Sequence, residues 1–361
     1  FDYVQAREEQ VRARAAGRWI GIGVACYAEL SGIGSKISAS PGMPINTGTD
    51  TCVIQLDSTG SITASFGCAS HGQGHETTLA QVLADELGAR LEDLRVITGN
   101  SAMVPHGTGS YASRTAVISG GAAILAAREL RQRMLRVASH LMNAQPDDLE
   151  VVRGVIRVRL GDAQLSFGDL ARALYSQMGR VPPDVREELC VTRVYDPVVG
   201  TTSSATHIVQ LEIDPQTYAV HIQRYVIAED CGRLINPLIV TGQSRGGMAQ
   251  GVGAALLEEV VYDPDGQLLT ASLVDYLLPS APEVPKLDMV HLPAVAPNTL
   301  GGFRGMAEGG TIGAPAAIAN AVADALAPLG IEIFELPVTP ERLFRHIHAS
   351  TLISKTKERN E

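Results

Sequence analysis

Aromatic residues are scarce in this chain, at 4% of 361 residues, and positive charge is scarce as well. Lys and Arg number 29 against 39 Asp and Glu, a formal net charge of −10, so neither a nucleic acid nor an anionic membrane surface is expected as a partner. The five cysteines, Cys26, Cys52, Cys68, Cys190 and Cys231, show no C-x-x-C spacing. That argues against a zinc site, an iron–sulfur site and a disulfide framework, and fits a reduced, cytoplasmic setting. No apolar run approaches the ~18 residues needed to span a bilayer, and no basic-then-apolar leader is expected. The chain opens on Phe1, as a fragment or a processed piece would.

What is abundant is apolar surface and glycine. With 45% hydrophobic and 19% charged residues the chain is long enough for two packed cores, and its 36 glycines predict close backbone approaches. Residues 3–17 read as an exposed helix and Trp19 to Leu30 as a buried strand. Thr51 to Asp57 and Ser61 to Gly67 flank a turn and read as a hairpin. Leu94 to Thr98 reads as a strand and Ala122 to Met142 as a long helix; short strands at 149–152 and 155–158 and a helix at 167–178 follow. The Pro-rich, charged stretch Met178 to Asp196 is a candidate boundary. Thr206 to Ile213 and His221 to Ala228 pair as strands, on which His207 and His221 read as structural. Gln267 to Pro279 reads as strand and turn, with Asp275-Tyr276 structural; Ala314 to Leu326 as a buried helix; Thr339 to His348 as a short helix; and Ser354 to Glu361 as a disordered end. The fold class expected is α+β, mixed sheets with packed helices in two subdomains, 1–150 and 151–361.

Four glycine-rich segments carry candidate chemistry. In Ser70 to Leu87, Gly72 and Gly74 bracket Gln73 directly ahead of a helix, so free amides face whatever the turn admits, most naturally a phosphate. A tight, ligand-free connection is the alternative. In Gly107 to Gly121, Ser110, Ser113, Arg114 and Thr115 offer donors without bulk; helix capping would use one of them. In Ala228 to Glu259, Asn236-Pro237 opens a helix whose glycines at 242, 246, 247, 251 and 253 each cost about 1 kcal/mol against Ala, implying that something packs against its backbone. Gln243 and Gln250 there can both donate and accept. Cys231 is either a site contact or a small buried residue. The fourth segment, Gly301 to Leu326, holds one carboxylate, Glu308, preceded by Gly305 and followed by Gly309 and Gly310. Glycines leave an acid unshielded, which is how a loop presents a base; an incidental Glu before a core helix is the alternative.

These segments, in this order, resemble the molybdopterin-binding large subunit of the xanthine oxidase family of molybdenum hydroxylases. The matching motifs are GIGVACYAE at 21–29, GQGHET at 72–77, the loop around Ala112, the run from Asp230 through Asn236-Pro237 to Glu259, and the AEGG of 307–310. The resemblance covers the second half of such a subunit. It implies Glu308 as catalytic base and cofactor contacts from Gly72, Gln73, Gly74, Ala112, Ser113, Arg114, Thr115, Cys231, Gln243, Gln250 and Gly309, with no protein ligand to the metal. It implies molybdenum–molybdopterin, as the cytosine dinucleotide, with iron–sulfur clusters and FAD on partner subunits and the other half of the molybdenum subunit elsewhere. The reaction implied is hydroxylation of an electron-poor carbon in an N-heteroaromatic, purine or aldehyde, with water as oxygen source. A non-catalytic cofactor or assembly module of the same complex is the alternative.

Overall fold

The computed structural model describes residues 1–39, 48–292 and 294–348; the charged end expected at 354–361 lies outside them. In chain order the elements are α1 (Tyr3–Ala15), β1 (Trp19–Ser31), α2 (Ser35–Ser38), β2 (Asp50–Leu56), β3 (Ile62–Phe66), α3 (His75–Leu87), β4 (Leu94–Ile97) and α4 (Thr115–Met142). Then come β5 (Leu149–Val152), β6 (Val155–Val158), β7 (Gln164–Ser166), α5 (Phe167–Tyr175), β8 (Cys190–Tyr195), β9 (Thr201–Ile213), β10 (Val220–Asp230), α6 (Pro237–Leu256), β11 (Leu287–His291) and α7 (Gly309–Leu326). Residues 340–348 form a further short helix.

Two four-stranded sheets carry the two cores. One has the order β1-β9-β10-β11, with β11 parallel to β10 and the other pairs antiparallel. The other has the order β4-β3-β2-β8, and a small sheet β5-β6-β7 flanks it. Ile54, Phe66, Leu83 and Leu130 bury the second sheet against α3 and α4. Val209, Tyr225, Val252, Ile318 and Val322 bury the first against α6 and α7. Each such side chain contributes about 1.5–3 kcal/mol on full burial. The α+β architecture expected from the sequence is the one observed.

A very close backbone approach explains the GIG motif. A Cβ on Gly21 would stand 1.8 Å from the carbonyl oxygen of Ala321, and one on Gly23 would stand 2.1 Å from that of Ala317, so α7 lies directly on the bare backbone of β1. No other residue fits there. The charged helix α1 buries only Ala6, Gln10 and Ala13 and is held instead by Asp324 of α7. That carboxylate accepts hydrogen bonds from Arg7 at 2.8 Å, Gln10 at 2.6 Å and the Ile22 amide at 2.8 Å.

Several sequence expectations are corrected. The sheets do not divide the chain at residue 150, because β1 joins β9 across the molecule and β8 joins β2. The 178–196 stretch ends where the chain passes from β8, in the second sheet, to β9, in the first. Gln267 to Pro279 forms no strand among the described residues; an isolated bridge, Tyr262 to Leu268, is all that pairs there. Helices α4 and α7 begin earlier than expected, at Thr115 and Gly309; within them Gly121, Gly309, Gly310 and Gly313 are buried against neighbours that leave no room for side chains. Residues 309–329 are, contrary to the expectation, long and apolar enough to cross a membrane by length and composition. Here that apolarity serves a core, since Ala317, Ile318, Ala321, Val322 and Leu326 are buried against β1, β9 and α6.

Candidate functional site

The ends of α3, α4, α6 and the segment before α7 converge on one cavity of about 550 Å³. Gly72 and Gln73 of the turn before α3 line it, as do Ser113, Arg114 and Thr115 at the start of α4, Cys231 beyond β10, Gln243 of α6 and Glu308. The sequence thus assembled eight of its site residues around a single space. Gly74, Ala112 and Gly309 sit one residue from the lining and shape it. Gly74 holds a positive φ of 77° at the N-cap of α3, and Ala112 and Ser113 form consecutive left-handed residues at φ 49° and 50°. Two such non-glycine residues in a row store of order 1–3 kcal/mol each, a cost typical of backbone held for function. Gln250 stands apart: it is exposed on α6, seven residues beyond Gln243, and is no part of the lining. The glycines of α6 also divide. Gly247 and Gly251 admit α7, whereas a Cβ at Gly242 or Gly246 would meet nothing within 4 Å.

Glu308 is the N-cap residue of α7 and is exposed at the cavity mouth, more open than a half-dry cleft would leave it. Its amide donates to Ser113 Oγ at 3.2 Å, and Ser113 Oγ–H donates to its Oε2 at 3.4 Å. The face of β1 that carries residues 27, 29 and 31 sets this segment from behind. Ser31 Oγ accepts from the Gly305 amide at 3.0 Å, and the Tyr27 hydroxyl lies where Gly309 can have no side chain; Glu29, between them on the strand, has its pKa raised by burial and by the charge of Glu308. Alternation along the strand, with a period of two, puts all three on one side.

The rest of the charged lining is cationic. Among the described residues that line the cavity, Glu308 is the only carboxylate, against Arg114, Arg233 and Arg304. This concentration of positive charge sits in a chain of net charge −10. Arg114 is buried and braces the loop, donating to Thr108 Oγ1, to the Gly109 carbonyl at 3.0 Å and to the Thr49 carbonyl at 2.9 Å. Arg304 donates to the Thr202 carbonyl and lies 3.6 Å from Asp230. The helices α3 and α4 start here without a side-chain cap, so their first amides remain available to a ligand; α6 differs, its start capped by Asn236. His75 Nε2 is buried without a partner, and burial lowers its pKa, keeping a neutral ring in the wall. Uncapped amides, guanidinium charge and an orphaned ring nitrogen form a donor set suited to a large anion. Arg233, Arg304 and His75 escaped the sequence reading; the RxxNP and GFRG contexts give no sign that their side chains converge.

Behind the lining, Glu229 is 3% exposed and accepts from Ser244 Oγ at 2.9 Å while facing His291 Nδ1 at 3.1 Å. Burial raises its pKa. Cys231, 4% exposed and 4.0 Å from the Glu229 carboxylate, has its thiol pushed up to about 12 by burial and by the acids at 229 and 230. It is a protonated thiol in the wall, not a nucleophile. His207 is structural as expected, fully buried with Nδ1 2.8 Å from the Tyr225 hydroxyl, and burial lowers its pKa to about 4. His221 is exposed on β10, outside the cavity lining.

Comparison with known proteins agrees with this site. The family model of the molybdopterin cofactor-binding domain matches residues 1–285. The chain is 38% identical over 345 residues to the nicotine 6-hydroxylase large subunit of Paenarthrobacter nicotinovorans, covering 95% of this chain and 42% of that one. It is 32% identical to the carbon monoxide dehydrogenase large chain of Hydrogenophaga pseudoflava, covering 97% and 44%. Its fold superposes on the crystal structure of quinoline 2-oxidoreductase from Pseudomonas putida 86 with a TM-score of 0.87 at 41% identity, over 95% of this chain and 44% of that one. The chain thus spans less than half the length of these relatives. It belongs to the xanthine oxidase family of molybdenum hydroxylases, as a molybdopterin-binding portion of the large subunit.

Proposed function

We propose that this chain supplies the base and the anion-binding wall of a molybdenum hydroxylase that oxidatively hydroxylates an electron-poor carbon, with Glu308 as the base. One observation carries the reading: a lone carboxylate, fixed by Ser113, at the mouth of a cavity whose other charges are arginines. Gly72, Gln73, Ser113, Thr115, Gln243 and the open amides of α3 and α4 would hold molybdopterin, in its cytosine dinucleotide form. When bound, the cofactor supplies the redox chemistry, and the protein supplies position, charge and a proton acceptor. Glu308 takes the proton released as the oxygen from water joins the substrate carbon. N-heteroaromatic substrates are favoured over purines and aldehydes, since relatives named for nicotine and quinoline are 38–41% identical and those named for xanthine 29%. Partners would be the remainder of the molybdenum subunit and chains bearing iron–sulfur clusters and FAD. Metal and pterin analysis of the native complex, with identification of the chains that co-purify, tests the assignment. Molybdenum and pterin are expected in about equal amounts, and their absence from an intact complex would overturn it.

A further inference from the structure

Two strand ends bring three metal-binding side chains together behind the cavity wall. Glu229, near the end of β10, and His291, at the end of β11, face each other in the parallel register, and the Leu292 amide donates to the Glu229 carbonyl at 2.8 Å. Cys231, two residues on, brings its Sγ to 4.0 Å from Glu229 Oε1. The main chain there is fixed. The Cys231 carbonyl accepts from the Arg304 amide at 3.2 Å, and the Gly232 amide donates to Asp230 Oδ1 at 3.0 Å. Among the described residues this is the one group of three His, Cys, Asp or Glu side chains whose ligand atoms all lie within 4.8 Å of one another.

From this geometry we infer that Glu229, Cys231 and His291 form a binding site for a divalent, zinc-type cation, separate from the place of the molybdenum cofactor. Carboxylate oxygen, thiolate sulfur and imidazole nitrogen are the donors zinc takes. Its bond lengths, about 2.1 Å to oxygen and nitrogen and about 2.3 Å to sulfur, put oxygen and nitrogen about 3.4 Å apart, and oxygen and sulfur about 3.6 Å apart, around a tetrahedral ion. Here Glu229 Oε1 stands 3.1 Å from His291 Nδ1 and 4.0 Å from Cys231 Sγ. The two edges therefore need to change by only about 0.3–0.4 Å. The Nδ1 atom supplies a second, independent observation. It is buried and, although 3.1 Å from Oε1, makes no directed hydrogen bond. An ion pair formed for its own sake would align the N–H with that oxygen; two lone pairs aimed at a common ion would not.

The charges close as well. Carboxylate and thiolate bring two negative charges, which one divalent cation cancels, and Glu229 and Cys231 are buried where an uncompensated charge is costly. Ser244 Oγ donates to Glu229 Oε2 at 2.9 Å, which fixes the carboxylate and leaves Oε1 for the metal, as outer-shell partners do at metal sites. The neighbouring acid Asp230 is already committed to the Gly232 amide and to Arg304. On binding, the Cys231 thiol gives its proton to solvent, the carboxylate and the neutral imidazole coordinate, and no electrons move. Cys231 also lines the cavity, which gives the ion an entry path and lets a water serve as fourth ligand. So bound, the ion would clamp the ends of β10 and β11 to the wall beside Arg304. A C-x-x-C pattern is not needed, because strand pairing rather than sequence spacing brings His291 in.

The test uses the assembled complex, stripped with a chelator, resupplied with excess Zn²⁺ and freed of loose metal by gel filtration. Metal analysis should find one zinc per copy of this chain beyond any zinc held by other chains. X-ray absorption at the zinc edge should show one sulfur neighbour at about 2.3 Å with nitrogen and oxygen at about 2.0–2.2 Å. His291→Ala, whose side chain lies outside the cavity lining and is 26% exposed, should lose that one zinc and leave molybdenum and pterin content unchanged. Cys231→Ser should remove the sulfur neighbour and weaken zinc retention at least 10-fold. The difference between wild type and His291→Ala is the decisive arm, since it cancels metal bound by partner chains and does not depend on turnover. A wild-type complex that takes up no zinc, a zinc content unchanged in His291→Ala, or a zinc shell without sulfur would each overturn the inference. Molybdenum measured on the same samples reports separately on the cofactor assignment.

Discussion

Gly305 is the point at which one added methyl group should do the most damage. Its amide is fixed on Ser31 Oγ, three residues before Glu308, and a Cβ built on it would lie 1.8 Å from the carbonyl oxygen of Ser113 and 2.7 Å from Ser31 Cβ. Ordinary contact begins near 3.4 Å, so Gly305→Ala requires the segment before α7 and the turn before α4 to part by about 1.6 Å. Both sides of the clash are main chain or a short side chain, and neither can swing away. Overpacking of this kind costs about 1–3 kcal/mol. It also separates Ser113 from Glu308, and a displacement of about 1 Å near reacting groups lowers rates on the order of 10²-fold. Chemical unfolding of the chain and steady-state turnover of the complex carrying Gly305→Ala should show both losses. Unchanged stability with unchanged turnover would refute the reasoning, because the contact could then not exist as described.

The buried His207 makes stability depend on pH. Its folded pKa, near 4, lies below the ~6.5 of an unfolded histidine, so the unfolded chain binds the extra proton; stability is whole above ~6.5 and falls as pH drops toward 4, by on the order of 3 kcal/mol. Unfolding of His207→Gln measured from pH 7 to pH 4 should lose about one proton's worth of that slope, and an identical slope would contradict burial of a neutral ring. On α6, Gly246→Ala should stabilise this chain by up to about 1 kcal/mol, since nothing crowds it, whereas Gly251→Ala, whose Cβ would lie 2.4 Å from that of Ala314, should destabilise it by about 1–3 kcal/mol. Denaturant midpoints of the two variants should therefore move in opposite directions.

The parts of this fold that could be read from the sequence are those written in local pattern. Alternation and turn chemistry located β2, β3, β5 and β6 to within a residue or two, and Asn236-Pro237 marked the start of α6, where Asn236 caps the amides of Leu238 and Ile239. The glycine-rich turns told where backbone would be laid open, and the residues they flank line one cavity. What local pattern does not hold is long-range pairing. Nothing in Trp19 to Ser31 states that its partner is Thr201 to Ile213, so a cut at residue 150 looked reasonable. Glycine also signals two different things. At Gly247 and Gly251 it makes room for a helix, and the same residue type before α3 frees amides; only the packed molecule separates the two uses. The resemblance implied Gln250 as a cofactor contact with Gln243 near it, yet seven residues of helix place Gln250 about 10 Å further along the axis.

The central claim is that Glu308 accepts the proton of the reaction. Glu308→Gln keeps the shape of the N-cap residue of α7 and removes only the ability to take a proton. Single-turnover reduction of the reconstituted complex by its substrate, with molybdenum and pterin content measured on the same samples, should show full cofactor loading and a rate lowered at least 10²-fold, as befits a general base. A fully loaded variant that reacts within about tenfold of the wild-type rate would contradict it.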